Sequence, residues 1–95
     1  MPAYLIANVD VHDHGRYERY RELVPATIEK FGGRYLARGG AVEVLEGSLP
    51  LKRFVIVEFP SSEAAKAWWA SEEYGPVKQV GHETATSVLI VVGGI

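Results

Sequence analysis

Apolar and polar positions alternate from the start of the chain. In Ala3–Val11 (A-Y-L-I-A-N-V-D-V), Leu5, Ala7, Val9 and Val11 share a wholly apolar face, while Tyr4 and Ile6 share the other with Asn8 and Asp10. That pattern predicts a strand with one dry and one mixed face. The period then lengthens: across residues 15–31, Tyr17, Tyr20, Val24, Ile28 and Phe31 recur every three or four positions, with Asp13 placed as N-cap and Gly32-Gly33 as stop. A helix is predicted there, kinked or restarted at Pro25, which lacks a backbone donor and crowds the preceding turn. Residues 34–38 and 41–46 read as strand, with Gly39-Gly40 marking a bulge or bend between them, and 47–52 as a turn. Residues 53–59 form a third strand whose one interior polar residue is Glu58, and Pro60 ends it. Ser61 or Ser62 caps a second helix through Ala70, with Ala65, Trp68 and Trp69 on its expected buried side. Pro76 opens a short further helix closed by Gly81, after which His82 reads as a loop residue and 84–92 as the last strand.

The order β-α-β-β-α-β fills residues 1–95 without linker or repeat. This is the split βαβ, ferredoxin-like pattern: one α+β domain whose right-handed crossovers place two helices on one face of a four-stranded antiparallel sheet. The opposite face has no cover within this chain, yet alternation assigns it Tyr4, Ile6, Phe54 and Ile56. An apolar face of that kind is an association patch, so a homodimer is predicted, its sheets packed face to face or curled into a shared α/β barrel. A standard interface of about 1,600 Å² would hold it.

Composition narrows the function classes. Ten Lys+Arg stand against 12 Asp+Glu with no basic cluster, so nucleic acid is not an expected partner. The chain contains no Cys, which rules out disulfides and thiolate metal sites. No apolar run approaches the roughly 20 residues of a membrane span, and no charged-then-apolar leader opens the chain, so a cytoplasmic location is expected. The glycine pairs fit neither a phosphate loop nor a dinucleotide fingerprint, G-x-S-x-G is missing, and no cofactor is expected. His12-Asp13-His14 could offer two imidazoles, but a third ligand would have to come from Asp10 or His82, and no metal is predicted.

The candidate chemistry is polar side chains on strands. Taking the first and third strands as parallel neighbours, with the last strand antiparallel beside the first, one rim should gather Asn8, Asp10, His12, Glu58, His82 and Thr84, with Arg38 close by. Glu58, a carboxylate on an apolar strand, needs a partner, and Arg38 is the expected one, either as a clamp between strands or as part of a site. Asn8 reads as a core amide or a donor to a ligand oxygen. Of the adjacent indoles Trp68 and Trp69, one must point away from the sheet, exposed or covered by a partner or ligand.

The segments G-G-R-Y-L-A-R-G-G (32–40), V-L-E-G (44–47), V-E-F-P-S (57–61), A-W-W (67–69) and S-E-E-Y (71–74), with Tyr17 and Tyr20, resemble the domain-of-unknown-function family thirteen-thirty. The likeness covers nearly the whole chain. It implies a dimeric α/β barrel of ferredoxin-like type, with no established activity; related barrels include cofactor-free monooxygenases and lactone isomerases. Trp69 stands where that family has Tyr, and the ending V-V-G-G-I lacks an acidic residue that often precedes its last Gly. Three readings stay open. The first is a homodimer binding a small polar or aromatic metabolite in each subunit, with Asn8, Arg38, Glu58, His82 and Trp69 as candidate contacts. The second is a cofactor-free enzyme using Glu58, Arg38 and His82, and the third a non-enzymatic interaction module.

Overall fold

The evenly alternating β1 (Ala3–Val11) is one of the two inner strands of the sheet, bonded on both sides. The computed structural model describes residues 1–48, 50 and 52–95. After β1 come α1 (His14–Lys30), β2 (Arg34–Arg38), β3 (Arg53–Phe59), α2 (Ser62–Trp69), α3 (Gly75–Thr84) and β4 (Ala85–Gly93). The strands lie in the order β2-β3-β1-β4, and every neighbouring pair is antiparallel. The expectation that the first and third strands run parallel is therefore corrected. The crossover through α1 returns β2 parallel to β1, and the reversal between β2 and β3 then turns β3 against β1. As a result Glu58 stands opposite Tyr4, while Asn8 stands opposite Phe54, at the other end of the sheet.

Three helices, rather than the expected two, line one face. Ala3, Leu5, Ala7 and Val9 are buried beneath them, as are Val57 and Phe59. Asp13 caps α1, its carboxylate accepting from the Arg16 amide at 3.1 Å, and Ser61 caps α2 in the same way through Ala64. α1 runs through Pro25 without ending or restarting. Gly81 does not close α3, which continues to Thr84 and carries His82 on a helix instead of a loop. Space, not a turn, is what Gly81 provides: a Cβ there would lie 2.9 Å from the Tyr20 ring. Trp68 is 1% exposed, stacked against Tyr74 with centroids 4.1 Å apart, and its indole N–H donates to the Thr27 hydroxyl at 3.0 Å. No described helix is long and apolar enough to cross a membrane.

One further expectation fails between β2 and β3. Residues 41–46 form no strand: β2 is an edge strand, Gly39 turns the chain away at φ +73°, and Val42, Val44 and Leu45 remain exposed with no strand beside them. The bend expected at Gly39-Gly40 is present at Gly39, and a further irregularity that was not expected sits inside β2, where the register slips between Tyr35 and Ala37. The predicted turn at 47–52 lies in part outside the described residues, at positions 49 and 51.

The far face of the sheet is the apolar one expected. Tyr4, Ile6, Phe54 and Ile56 share it with Val88, Ile90 and Val92 of β4, which are all exposed.

Candidate functional site

Between sheet and helices lies a cavity of about 330 Å³, within the range of about 300–1,000 Å³ usual for small-molecule sites. Its floor is Leu5, Ala7 and Val9 of β1, Val55 and Val57 of β3 and Leu89 of β4; Tyr17, Val24 and Ile28 of α1 and Trp68 of α2 wall it in. Into this apolar space come three arginines, Arg21, Arg38 and Arg53, together with His82, Ser87 and the phenols of Tyr17, Tyr20, Tyr35 and Tyr74.

Local structure accounts for each arginine. Arg21 lies on the stripe of α1 that carries Tyr17, Val24 and Ile28, so its stem enters the cavity while Nη1 reaches out to the Glu18 carboxylate at 2.8 Å. Arg53 opens β3 on the parity of Val55 and Val57 and therefore points toward the helices. A Cβ on Gly39 would collide with the Arg53 guanidinium, so glycine there leaves that group its room. Arg38 reaches the same space because of the slip in β2. Three residues apart, Tyr35 and Arg38 would face opposite sides of a regular strand, but the extra residue returns both to the helix side. The Arg38 guanidinium sits 4.6 Å from the Tyr35 ring centroid, and its Nη2 donates to the Arg21 carbonyl at 2.6 Å. That carbonyl is the one Pro25 leaves without a helical donor.

Burial governs the phenols. It pushes Tyr17 above its ordinary value, against the pull of the Arg53, Arg21 and Arg38 guanidiniums. Tyr35 is likewise raised by burial and opposed first by Arg38. Tyr20 is raised further, by burial and then by Tyr74, whose hydroxyl lies 2.9 Å from its own; Tyr74 is raised by burial as well. The phenols are thus neutral at ordinary pH, and the arginines are the fixed charge of the cavity.

Of the five candidate residues, Arg38, His82 and Trp69 line this cavity, whereas Asn8 and Glu58 lie on the opposite face of the sheet. The expected pairing of Glu58 with Arg38 is corrected. The register sets Arg34 opposite Glu58 and Arg38 opposite Val55, and Arg34 Nε donates to Glu58 Oε1 at 2.9 Å. Asn8 pins the chain entering β3, donating to the Pro50 carbonyl and accepting from the Lys52 amide, both at 3.0 Å. His12 Nε2 pairs with the Thr86 hydroxyl at 2.7 Å, and the expected rim does not assemble because Glu58 is at the other end of the sheet. Trp69 is 48% exposed beneath the Lys78 ammonium, 3.6 Å from its ring centroid, and also borders a smaller hollow of about 210 Å³ with Ala65 and Val91. No group of three or more His, Cys, Asp or Glu suited to a metal comes together among the described residues.

Arg21, Arg53 and Tyr35 were not among the expected contacts. A readable signal existed for two of them: Arg21 breaks an apolar helix stripe, and Arg53 takes the inward parity of a strand otherwise filled with Val and Phe.

The model of the family described as Domain of unknown function (DUF1330) matches residues 2–95. No curated protein matches the chain. Among solved structures, it is similar to RPA0582, a protein of unknown function from Rhodopseudomonas palustris, at 18% identity and TM-score 0.76 over 99% of this chain and 82% of that one. A dimeric ferredoxin-like protein of unknown function from Jannaschia sp. CCS1 is similar at 9% identity and TM-score 0.70, over 99% and 100%. SnoaB, a cofactor-independent oxygenase from Streptomyces nogalater, is similar at 10% identity and TM-score 0.67, over 99% and 93%. At such identities the likeness shows the fold, which is ferredoxin-like.

Proposed function

Because the chain belongs to the family Domain of unknown function (DUF1330), whose description assigns no reaction, we propose its role from the cavity: a homodimer that binds a small molecule with an apolar or aromatic body in a pocket of each subunit. The observation that carries this reading is the space of about 330 Å³ between sheet and helices, floored by aliphatic side chains and edged by convergent polar groups. Dimerisation through the open sheet face, as a shared barrel, is supported by the exposed Val88, Ile90 and Val92 and by the dimeric Jannaschia neighbour. A cytoplasmic setting accords with a chain that has no cysteine to oxidise. Catalysis without a cofactor, as by the cofactor-independent oxygenase SnoaB, is the second reading. It keeps Arg38 and His82 but loses Glu58, which lies across the sheet.

Thermal unfolding with a panel of small aromatic and aliphatic metabolites tests the binding reading. At a hundredfold excess over Kd a true ligand adds about 2.7 kcal/mol, roughly 10 °C or more in Tm for a domain of this size. Ala7→Leu, which fills the cavity floor, should abolish the rise. A panel that leaves Tm unmoved throughout would overturn the reading.

A further inference from the structure

We infer, resting on that binding reading, that the ligand is an organic carboxylate, its charged end held by Arg53 and Arg21 with Arg38 beside them and its apolar body on the floor of the sheet. Two buried donors carry this. Arg21 Nε and Arg53 Nε are both shut off from solvent, and neither has a hydrogen-bond partner among the described residues. Buried polar atoms are nearly always satisfied, and here the two exceptions line the same cavity.

The charge balance points the same way. No carboxylate lines the cavity among the described residues. Arg21 has Glu18 at its outer end, but neither Arg38 nor Arg53 has a carboxylate partner among the described residues. Positive charge with no built-in counter-ion, beside apolar walls, leaves the anion to the ligand. The three arginines also converge: all line the one cavity, and Arg38 Nη2 reaches the Arg21 carbonyl at 2.6 Å. Guanidinium presents a planar fork of donors that matches a carboxylate in two-point fashion. The rest of the lining decides between anions. Val55, Val57, Leu5 and the Trp68 ring offer nothing to the oxygens of a free inorganic anion but fit a hydrocarbon or aromatic body.

Calorimetric titration of the purified protein with benzoate, phenylacetate and 4-hydroxybenzoate, each beside its matching primary amide, and with inorganic phosphate tests this. At least one carboxylate should bind more than tenfold tighter than its amide. In Arg53→Gln and Arg21→Gln that advantage should vanish while the amide binds as before, and Arg53→Lys should restore it only in part. Amides that bind as well as the acids would overturn the carboxylate inference and leave the pocket standing. Binding of neither class would remove both, and phosphate binding as tightly as the acids would mark a bare anion site and overturn the inference. The wild-type comparison decides the matter should a variant fail to fold.

Discussion

Pro25 removes the backbone donor that would close the helical bond to the Arg21 carbonyl, and Arg38 supplies another from across the molecule. One contact offsets part of the cost. A proline inside a helix costs about 3 kcal/mol, and a hydrogen bond from a charged donor returns about 1.5 kcal/mol at the low end of its range, suitable for a partly exposed pair. Arg38→Ala should therefore cost about 1.5 kcal/mol in the parent protein and much less in Pro25→Ala, where the backbone amide restored at position 25 is free to take the carbonyl. Urea unfolding of the two single variants and the double variant measures this coupling. Equal costs of Arg38→Ala in both backgrounds would show that what Arg38 contributes does not depend on the carbonyl Pro25 leaves open. The expected partner of Arg38 was Glu58, and the reason for the difference is local. By pattern, residues 41–46 read as strand running on to a turn at 47–52. With that segment outside the sheet the register sets Arg34 opposite Glu58, and the slip between Tyr35 and Ala37, which no glycine or proline announces, turns Arg38 to the helix side.

Elements whose burial alternates or repeats cleanly were legible in the chain. β1 and β3 begin and end where the pattern says, because each has one face under the helices that makes a one-residue shift costly. Residues 41–46 have equally β-prone side chains but no neighbouring strand, and propensity without pairing leaves them irregular. The end of α3 was misplaced for the opposite reason: Gly81 reads as a stop by conformation yet is used for its small size. An exposed Gly-to-Ala change in a helix would stabilise by about 1 kcal/mol. Gly81→Ala should instead destabilise by about 1–2 kcal/mol, since the added methyl meets the Tyr20 ring at 2.9 Å and Tyr20 is held by its bond to Tyr74. Thermal unfolding reads the sign directly, and a raised Tm would mean that α1 and α3 separate without penalty. Within the site, the apolar cavity walls were foreseeable from periodicity, whereas the meeting of Arg21, Arg38 and Arg53 joins three elements through a register that local pattern does not contain.

At the scale of the whole molecule, one face is sealed by phenols and indole and the other is open. The sealed side makes stability sensitive to alkali. A buried phenol whose folded pKa is raised stays protonated after its unfolded counterpart has ionised, so the stability it contributes is whole below about pH 10 and is lost as pH climbs further. With Tyr17, Tyr20, Tyr35 and Tyr74 all raised, stability should fall above about pH 10, less steeply in Tyr20→Phe, as followed by denaturant midpoints against pH. The open side makes association testable at one residue. Ile56, Ile6 and Ile90 stand in register across β3, β1 and β4, a row of isoleucines through the middle of the uncovered face. Ile90 is 53% exposed in the single chain, so a lysine there leaves the fold of one subunit intact, yet in the proposed dimer it would bury an unpaired ammonium at the interface. That penalty is about 3 kcal/mol or more, over a hundredfold in the dimer dissociation constant. The parent protein should sediment as a dimer at micromolar concentration and Ile90→Lys as a monomer with an unchanged circular dichroism spectrum. A monomeric parent would remove the dimer and leave the cavity between sheet and helices, which one subunit builds alone, to be judged by its ligands.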